Sequence, residues 1–186
     1  MKTLTLTITI IVSLTLNQLK AQKTNHLEIE IDPIAYALGG ASGHVAYTWK
    51  NERIQLGYGQ LTLPESMQSN EDVQESFKAI SLKWDYFFFN DNANHGFFAG
   101  PTFDYLFLSY EDKDANSYTD NQLAIGLRLG YKFDLFKKSK SMNGLYVTPW
   151  IGASYLTTAD DIELGSTTYN RNAVNIFPTV HLGWSF

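Results

Sequence analysis

Ser42 and His44 are the residues whose types and spacing could support nucleophilic catalysis. They stand two positions apart, so on a β-strand their side chains share one face. An acid on another strand, Asp32 or Asp104, could orient the imidazole and complete a triad-like arrangement for hydrolysis or acyl transfer. The sequence has no G-x-S-x-G, no H-E-x-x-H and no phosphate-binding loop. Ser42, His44 and Asp32 therefore form an alternative catalytic hypothesis, not the leading one.

Charged residues also recur in one alternate register of the predicted strands. If the strands close into a tube, this register faces its interior, where charges must pair because an unpaired charge away from water is costly. Six acids stand against five bases. We predict a lumen charge network, with His44 nearby, made of Glu28, Glu30, Asp32, Lys50, Arg53, Lys83, Asp85, Asp104, Arg128, Lys132, Asp134 and His181.

The composition favours a folded β protein. Aromatic residues make up 15% of the chain, and hydrophobic residues 44%, which suits strands and argues against disorder. The absence of cysteine removes disulfides, thiolate metal sites and cysteine nucleophiles. A net charge of −5 argues against nucleic acid as a partner. We expect neither a cofactor nor a metal site.

The first 21 residues predict a signal peptide. Lys2 precedes an apolar, Thr-rich run over 4–16, and Ala21 is a small residue suited to cleavage before Gln22. The run is shorter than the roughly 20 residues of a spanning helix. Removal of residues 1–21 takes away Lys2 and Lys20 and leaves a domain over 22–186 with a net charge of −7.

Eight segments alternate apolar and polar residues with a period of two. The clearest covers 121–136, where Leu123, Ile125 and Leu127 alternate with Ala124 and Gly126. Several segments reach the roughly 9–11 residues of a tilted membrane strand, beyond the soluble average of about five or six. The pattern predicts an all-β, eight-stranded antiparallel up-and-down transmembrane barrel, with strands near 26–38, 42–50, 53–63, 76–89, 97–110, 121–136, 145–159 and 174–186.

The connections and aromatic residues orient this barrel. Joins over 39–40, 64–75, 111–120 and 160–171 include the three longest and are predicted to lie outside the cell; those over 51–52, 90–96 and 137–144 are periplasmic. The outer loops are rich in acids, which predicts a solvated rim or, alternatively, divalent-cation binding. A periplasmic aromatic girdle is predicted at Trp49, Phe88, Phe89, Phe97, Phe133, Phe136, Trp184 and Phe186, and an upper girdle at Tyr58, Phe77, Tyr110 and Tyr155.

Four prolines conflict with this scheme. Pro33, Pro101, Pro149 and Pro178 fall inside predicted strands, where each removes a hydrogen-bond donor from the ladder. We expect bulges or strand ends there.

The chain ends in an alternating segment that closes on Phe186. This ending, the loop asymmetry and the strand pattern resemble the small eight-stranded outer-membrane β-barrel proteins of Gram-negative bacteria over residues 26–186. The resemblance implies an outer-membrane location, contact with outer-membrane lipid and lipopolysaccharide, and recognition of the terminal strand by the barrel assembly machinery.

That family includes membrane anchors, adhesion proteins, small pores and lipid-modifying enzymes, so the fold does not choose a function. The leading hypothesis is a non-enzymatic protein with a structural or surface-interaction role and a lumen filled by charged side chains. Two alternatives are a lipid A-modifying hydrolase or acyltransferase that uses His44, and a small gated, porin-like pore. A third is a soluble lipocalin-type binding protein with a dry apolar lumen, which the charged register opposes.

Overall fold

Eight antiparallel strands close into a barrel in the computed structural model, which describes residues 25–65, 68, 72–88, 95–135, 144–165 and 167–186. The predicted signal peptide, residues 1–21, lies outside the described residues. The barrel strands are β1 (Asn25–Ile31), β2 (Ala41–Trp49), β3 (Glu52–Thr62), β4 (Val73–Phe87), β5 (Gly96–Asp112), β6 (Ser117–Asp134), β7 (Gly144–Leu156) and β10 (Val174–Ser185). A helical turn α1 (Pro33–Ala37) follows β1, and a hairpin of β8 (Ile162–Leu164) and β9 (Thr167–Tyr169) precedes β10.

The barrel is an up-and-down meander. Each strand pairs with its neighbour along the chain, β7 pairs with β10 across the hairpin, and β1 pairs with β10 to close the tube. The predicted fold class is therefore confirmed. No helix in the described ranges is long and apolar enough to cross a membrane.

Alternation sorts the side chains between the two faces of the wall. On β6, Leu127 is 68% exposed on the outside while Arg128 is 2% exposed on the inside. The same division runs along the other strands, because apolar groups suit lipid and an eight-stranded lumen is just wide enough to be filled by side chains. The outer wall is therefore a belt of exposed apolar residues around a largely polar interior.

The first strand is shorter than predicted. Instead of continuing to Leu38, β1 ends at Ile31, and Asp32 caps the helix by accepting hydrogen bonds from Ile34 N (2.8 Å) and Ala35 N (3.3 Å). Pro33 occupies the first helical position, where its missing N–H costs nothing. The strand therefore gives way to α1 at the outer end of the barrel.

The other three prolines lie where a ladder is interrupted. Pro101 and Pro149 fall in gaps of the β4–β5 and β6–β7 pairings, where the adjoining residue pairs keep the register. Pro178 lies beyond Leu182, the last β10 residue that pairs with β1. Because Phe186 N bonds back to Leu27 O, alternation turns the nitrogen of Pro178 toward this same unpaired side. Each proline thus stands where no neighbouring strand accepts from its nitrogen.

The outer end is covered by the β8–β9 hairpin, which sequence analysis treated as loop. Its Ile162, Leu164 and Tyr169 pack on Val73, Leu108 and Tyr110. The predicted upper girdle is therefore half wrong: Tyr58 and Tyr155 are exposed on the wall, but Tyr110 is buried and Phe77 packs against the hairpin cluster.

The predicted periplasmic girdle is largely in place on the outer wall. Phe88, Phe97, Phe133, Trp184 and Phe186 are exposed. Trp49 is half-buried. Phe89, Phe136 and most of the turns over 90–96 and 137–144 lie outside the described residues.

Leu127→Arg tests whether the outer wall faces lipid. An arginine near the middle of a lipid-facing belt is expected to lower the free energy of unfolding in lipid vesicles by about 2–4 kcal/mol. Thr119→Arg, on the same face of β6 but beyond the apolar belt, is the matched control and should cost less than about 1 kcal/mol. The measurement is urea unfolding followed by gel migration of unheated samples. Equal costs at the two positions would contradict a membrane-facing wall.

Candidate functional site in the barrel lumen

Asp85 lies between two arginines in the inner half of the lumen, which is the half nearer the predicted periplasmic end of the barrel. Arg53 Nε approaches Asp85 Oδ2 at 2.8 Å, and Arg128 binds both carboxylate oxygens, through Nε at 2.8 Å and Nη2 at 2.6 Å. All three side chains are inaccessible to solvent. β3, β4 and β6 supply them, so the contact joins strands that are not all neighbours in the sheet. Bidentate pairing of this kind is among the stronger charge-assisted contacts.

Glu30 forms a second centre on the opposite wall. It accepts hydrogen bonds from Arg53 Nη1 (2.8 Å), Gln55 Nε2 (2.5 Å) and the Tyr146 hydroxyl (2.9 Å). His181 Nδ1 lies 2.8 Å from its Oε2. Gln55 in turn accepts from Arg128 through its Oε1 at 3.1 Å, so the two centres are one network.

Glu28 completes the network near the periplasmic end. It pairs with Lys132, accepts from the Tyr146 hydroxyl at 3.1 Å and lies 3.6 Å from Arg53 Nη1. Three carboxylates thus face three cations, and all six are almost fully buried. We call this set, with Gln55, Tyr146 and His181, the lumen plug; its three carboxylates and three cations balance in formal charge.

Aromatic rings pack around the cations of the plug, a feature that the charge pattern of the sequence does not predict. The guanidinium of Arg53 lies 5.4 Å from the ring of Phe87 and 5.0 Å from Phe98; Arg128 lies 5.4 Å from Phe98 and from Trp150. Such stacking stabilises desolvated cations. The parity of each strand would have found these rings, since Phe87 shares its face with Asp85.

Two inward glycines leave space for the rings of Tyr146 and Phe98. A Cβ at Gly183 would lie 2.3 Å from the ring of Tyr146, and one at Gly130 would lie 2.5 Å from Phe98. An inward glycine beside an inward aromatic therefore marks ring packing, a signal that the sequence contains.

Five predicted members of the charge network lie outside the plug: Asp32, Lys50, Lys83, Asp104 and Asp134. Lys50 is exposed in the β2–β3 turn, with a φ of 50°, and Asp134 is exposed at the end of β6, where His95 Nδ1 is 3.8 Å away. The prediction of both as lumen residues is corrected, because the register is right but the strand ends meet water. Asp32 serves as the helix cap, and half-buried Asp104 lines a cavity with Lys83.

The catalytic alternative does not assemble. Ser42 Oγ accepts the backbone N–H of Asp32 at 2.6 Å, and the Asp32 carboxylate accepts from Thr179 Oγ1 at 2.7 Å and from the helix. The ring of His44 stacks on His181 at 4.6 Å and faces Gly57, where a Cβ would clash with it. In the described part of the chain, no hydrogen bond joins Ser42 or Asp32 to His44, so these residues do not form a triad.

A cavity of about 410 Å³ occupies the outer half of the lumen, directly above the plug. His44, Lys83, Trp150 and His181 form its floor, and His181 also belongs to the plug. The walls are mostly apolar, with Leu61, Phe77, Ala79, Leu106, Leu108, Leu156 and Phe177 among them. The expectation of a lumen filled throughout by charges is therefore corrected. Within the described ranges, no group of three or more His, Asp or Glu residues is placed to hold a metal ion.

A closed eight-stranded barrel with an apolar outer wall and a self-paired polar interior has the architecture of the small outer-membrane barrels. No protein-family model and no curated protein matches the sequence. Among solved structures, the fold is similar to that of Neisserial surface protein A, with a TM-score of 0.56 and 9% sequence identity over 88% of this chain and 97% of that chain. At this identity the likeness shows a shared fold, which confirms the architectural resemblance.

Two further solved structures align over similar lengths. The N-terminal β-barrel domain of Pseudomonas aeruginosa OprF gives a TM-score of 0.45 and 13% identity, over 87% of this chain and 97% of that one. A major outer membrane protein from Thermus thermophilus gives a TM-score of 0.47 and 14% sequence identity, over 87% of this chain and 99% of that one.

Asp85→Asn tests the energetic weight of the plug. Loss of this charge leaves two buried guanidiniums without their shared carboxylate, so we expect the free energy of unfolding to fall by about 3–5 kcal/mol. Asp72→Asn removes the acid of the exposed pair with Lys113 and is the matched control; a surface pair contributes less than about 1 kcal/mol. Denaturant unfolding in detergent micelles measures both. A loss at Asp85 no larger than that at Asp72 would show that the plug does not stabilise the barrel.

Proposed function

We propose that this chain is a non-enzymatic bacterial outer-membrane barrel protein with a closed lumen and a structural or surface-interaction role. The observation that carries the proposal is the plug: three acids and three bases lie in the inner half of the tube and pair with one another. An eight-stranded barrel leaves little room beside such a layer. Lipid and lipopolysaccharide would surround the apolar wall, and the terminal strand that ends at Phe186 would be read by the barrel assembly machinery.

Closure at both ends supports this proposal over the pore. An ion that crossed the lumen would have to displace the bidentate contact of Asp85 with Arg128 and the Arg53 contact beside it. At the outer end, the β8–β9 hairpin packs its apolar side chains over Val73 and Leu108. A continuous water path would require both layers to open.

The engagement of the candidate catalytic groups supports a non-enzymatic role. The Ser42 hydroxyl and the Asp32 carboxylate form hydrogen bonds at the junction between β1, α1 and β10. They act there as structural hydrogen-bonding groups that fix the end of a short strand. The imidazole of His44 is packed flat against a second imidazole.

Polar contacts that join the outer segments support a surface-interaction role. Arg171 Nη1 contacts Asp120 at 2.7 Å, and the Tyr169 hydroxyl donates to Glu75 at 2.7 Å, so the hairpin segment is tied to the outer ends of β6 and β4. Beyond the apolar belt, hydrogen bonds from Gln122 and Arg171 lower the pKa of Asp120, so its contribution to stability is present at neutral pH and is lost as the pH falls through that lowered value. A fixed outer surface is what a specific partner requires.

Planar-bilayer recording tests the closed lumen. We expect no stepwise conductance from the wild-type protein, because the plug blocks the inner half. A variant with residues 160–171 replaced by a short Gly-Ser linker should also remain silent, since the plug lies below the hairpin. A general porin reconstituted in the same bilayers is the positive control. Wild-type channels would overturn the proposal, and channels seen only after removal of the hairpin would identify that hairpin as the gate of a pore.

A further inference from the structure

The β-sheet of the barrel wall is interrupted in its outer half, between α1 and β10, above the hydrogen bond from Thr179 Oγ1 to Asp32. We call this interruption the α1–β10 gap. β1 and β10 pair over only four residue pairs, from Glu28 with Ser185 to Ile31 with Leu182. Above that point β10 continues to Val174, and no strand of the described part of the chain pairs with it on its β1 side. The five-residue α1 lies there instead. α1 buries none of its residues.

The cavity extends into this gap. Besides inward side chains, its lining includes Ile34, Ala35 and Leu38 around α1, together with Ile176 and Pro178, which lie on the outer face of β10. The cavity is therefore continuous with the surface that faces lipid. The plug closes the inner end, and the β8–β9 hairpin packs over the β4 and β5 side of the outer end. The side of the wall is therefore a route by which a molecule from the lipid phase could reach the cavity.

Lys83 lies at the floor of this cavity, and none of the acids in the described ranges forms an ion pair of 4 Å or less with it. Lys83 is 5% exposed and lines the cavity, and its Nζ lies 5.2 Å from the ring centre of Trp150. Asp104 lines the same cavity, but within the described ranges no ion pair of 4 Å or less joins it to Lys83. The three acids of the plug are already matched by Arg53, Arg128 and Lys132, as described above. A buried charge of this kind favours an anion that reaches it.

We propose that the cavity binds a free single-chain acid, such as a fatty acid, which enters from the lipid phase through the α1–β10 gap and places its carboxylate near Lys83. The apolar walls match the alkyl chain, and the volume is within the usual range of small-molecule sites. The cation lies at the floor, so the head group must pass inside the wall. This depth favours a single-chain acid over a two-chain phospholipid, whose head group would stay outside.

Quenching of Trp150 fluorescence provides the test. The chain has four tryptophans, so a W49F/W84F/W184F background leaves Trp150 as the only tryptophan, and it is excited selectively at wavelengths where tyrosine does not absorb. In vesicles, 2-bromohexadecanoic acid should quench this residue saturably, because its bromine lies next to the carboxylate that Lys83 attracts. Excess hexadecanoic acid should reverse the quenching. Quenching that rises linearly without saturation would mean partition into lipid and would overturn the proposal.

Two glycines offer a matched pair of blocking variants. Gly59 lines the cavity and Gly43 faces outward, and a Cβ at either position meets no atom within 4 Å. Gly59→Phe should abolish saturable quenching by filling the cavity, whereas Gly43→Phe should leave it unchanged. If Gly59→Phe fails to fold, as judged by gel migration of unheated samples, Ala79→Phe fills the same space. Full binding by a folded cavity-filled variant would refute the site.

Lys83→Met separates the head-group contact from the chain contact. The wild-type protein should prefer hexadecanoic acid over hexadecanol as a competitor by roughly tenfold, and this preference should vanish in the variant. A preference that survives would exclude Lys83 as the anion site. Vesicles of brominated phosphatidylcholine should quench wild type and Gly59→Phe equally; stronger quenching of wild type would identify a lipid chain as the occupant instead. These outcomes are independent of the conductance measurement, which reports on the plug.

Discussion

The pairing of Asp85 with Arg53 and Arg128 is the interaction on which the rest of the lumen depends. Where side chains fill an eight-stranded tube there is little room for water, so the buried charges of the plug must pair with one another across the lumen. Asp85 satisfies two cations from one position because Arg128 approaches it side-on with both Nε and Nη2, which leaves Arg53 free to reach Glu30 as well. Replacement of any one member leaves an uncompensated charge, so the plug is retained or lost as a unit. The aromatic rings around the plug also stabilise its arginines, because rings stacked on guanidiniums exclude water from these cations.

A rigid inner half allows an incomplete outer half. The wall between β1 and β10 consists of only four residue pairs, and above them the closure passes to α1 and to the hydrogen bonds of Asp32 with Ser42 and Thr179. A barrel held only by its sheet would be weakest at this seam. Here the side chains of β1 bind across the lumen to β3, β6 and β7, so the short strand is anchored from the inside. The plug thereby compensates for ladder hydrogen bonds that the seam lacks.

Much of this could be predicted from the sequence, and the failures have identifiable causes. Lipid and lumen demand opposite polarity on adjacent residues, so the alternation of β6 revealed both its length and its two faces. Alternating polarity no longer identifies the inner face where both faces of a strand meet the same solvent. Lys50 and Asp134 have the inward register but lie at strand ends, where water reaches both faces. An aromatic residue such as Tyr110 suits a lipid-facing girdle and a buried cluster equally well. Its residue type therefore does not distinguish the two positions.

The early end of β1 and the pairing of particular acids with particular bases could not be predicted from the sequence, for different reasons. Asp32 followed by Pro33 is a helix-start signal, but five residues of helix are too few for a 3.6-residue period to stand out from strand alternation. Which acid meets which base depends on the stagger between strands, and Asp85 and Arg128 are 43 positions apart on strands that are not adjacent. A balanced count of charges implies that partners exist but does not assign them.

The division of the lumen into plug and cavity follows from the parity of a few residues. From the floor outward, the inward positions of β4 read Lys83, Ser81, Ala79 and Phe77, a passage from charged to small to apolar along one face of one strand. The inward positions of β5 make the same change, from Asp104 to Leu106 and Leu108. The outermost of these apolar side chains, Phe77, Leu106 and Leu108, pack with the β8–β9 hairpin, and they also line the cavity. The chamber between plug and hairpin therefore has apolar walls and carries Lys83 and Asp104 near its floor. Apolar walls that end at a buried cation are the two surfaces that the proposed single-chain acid would need.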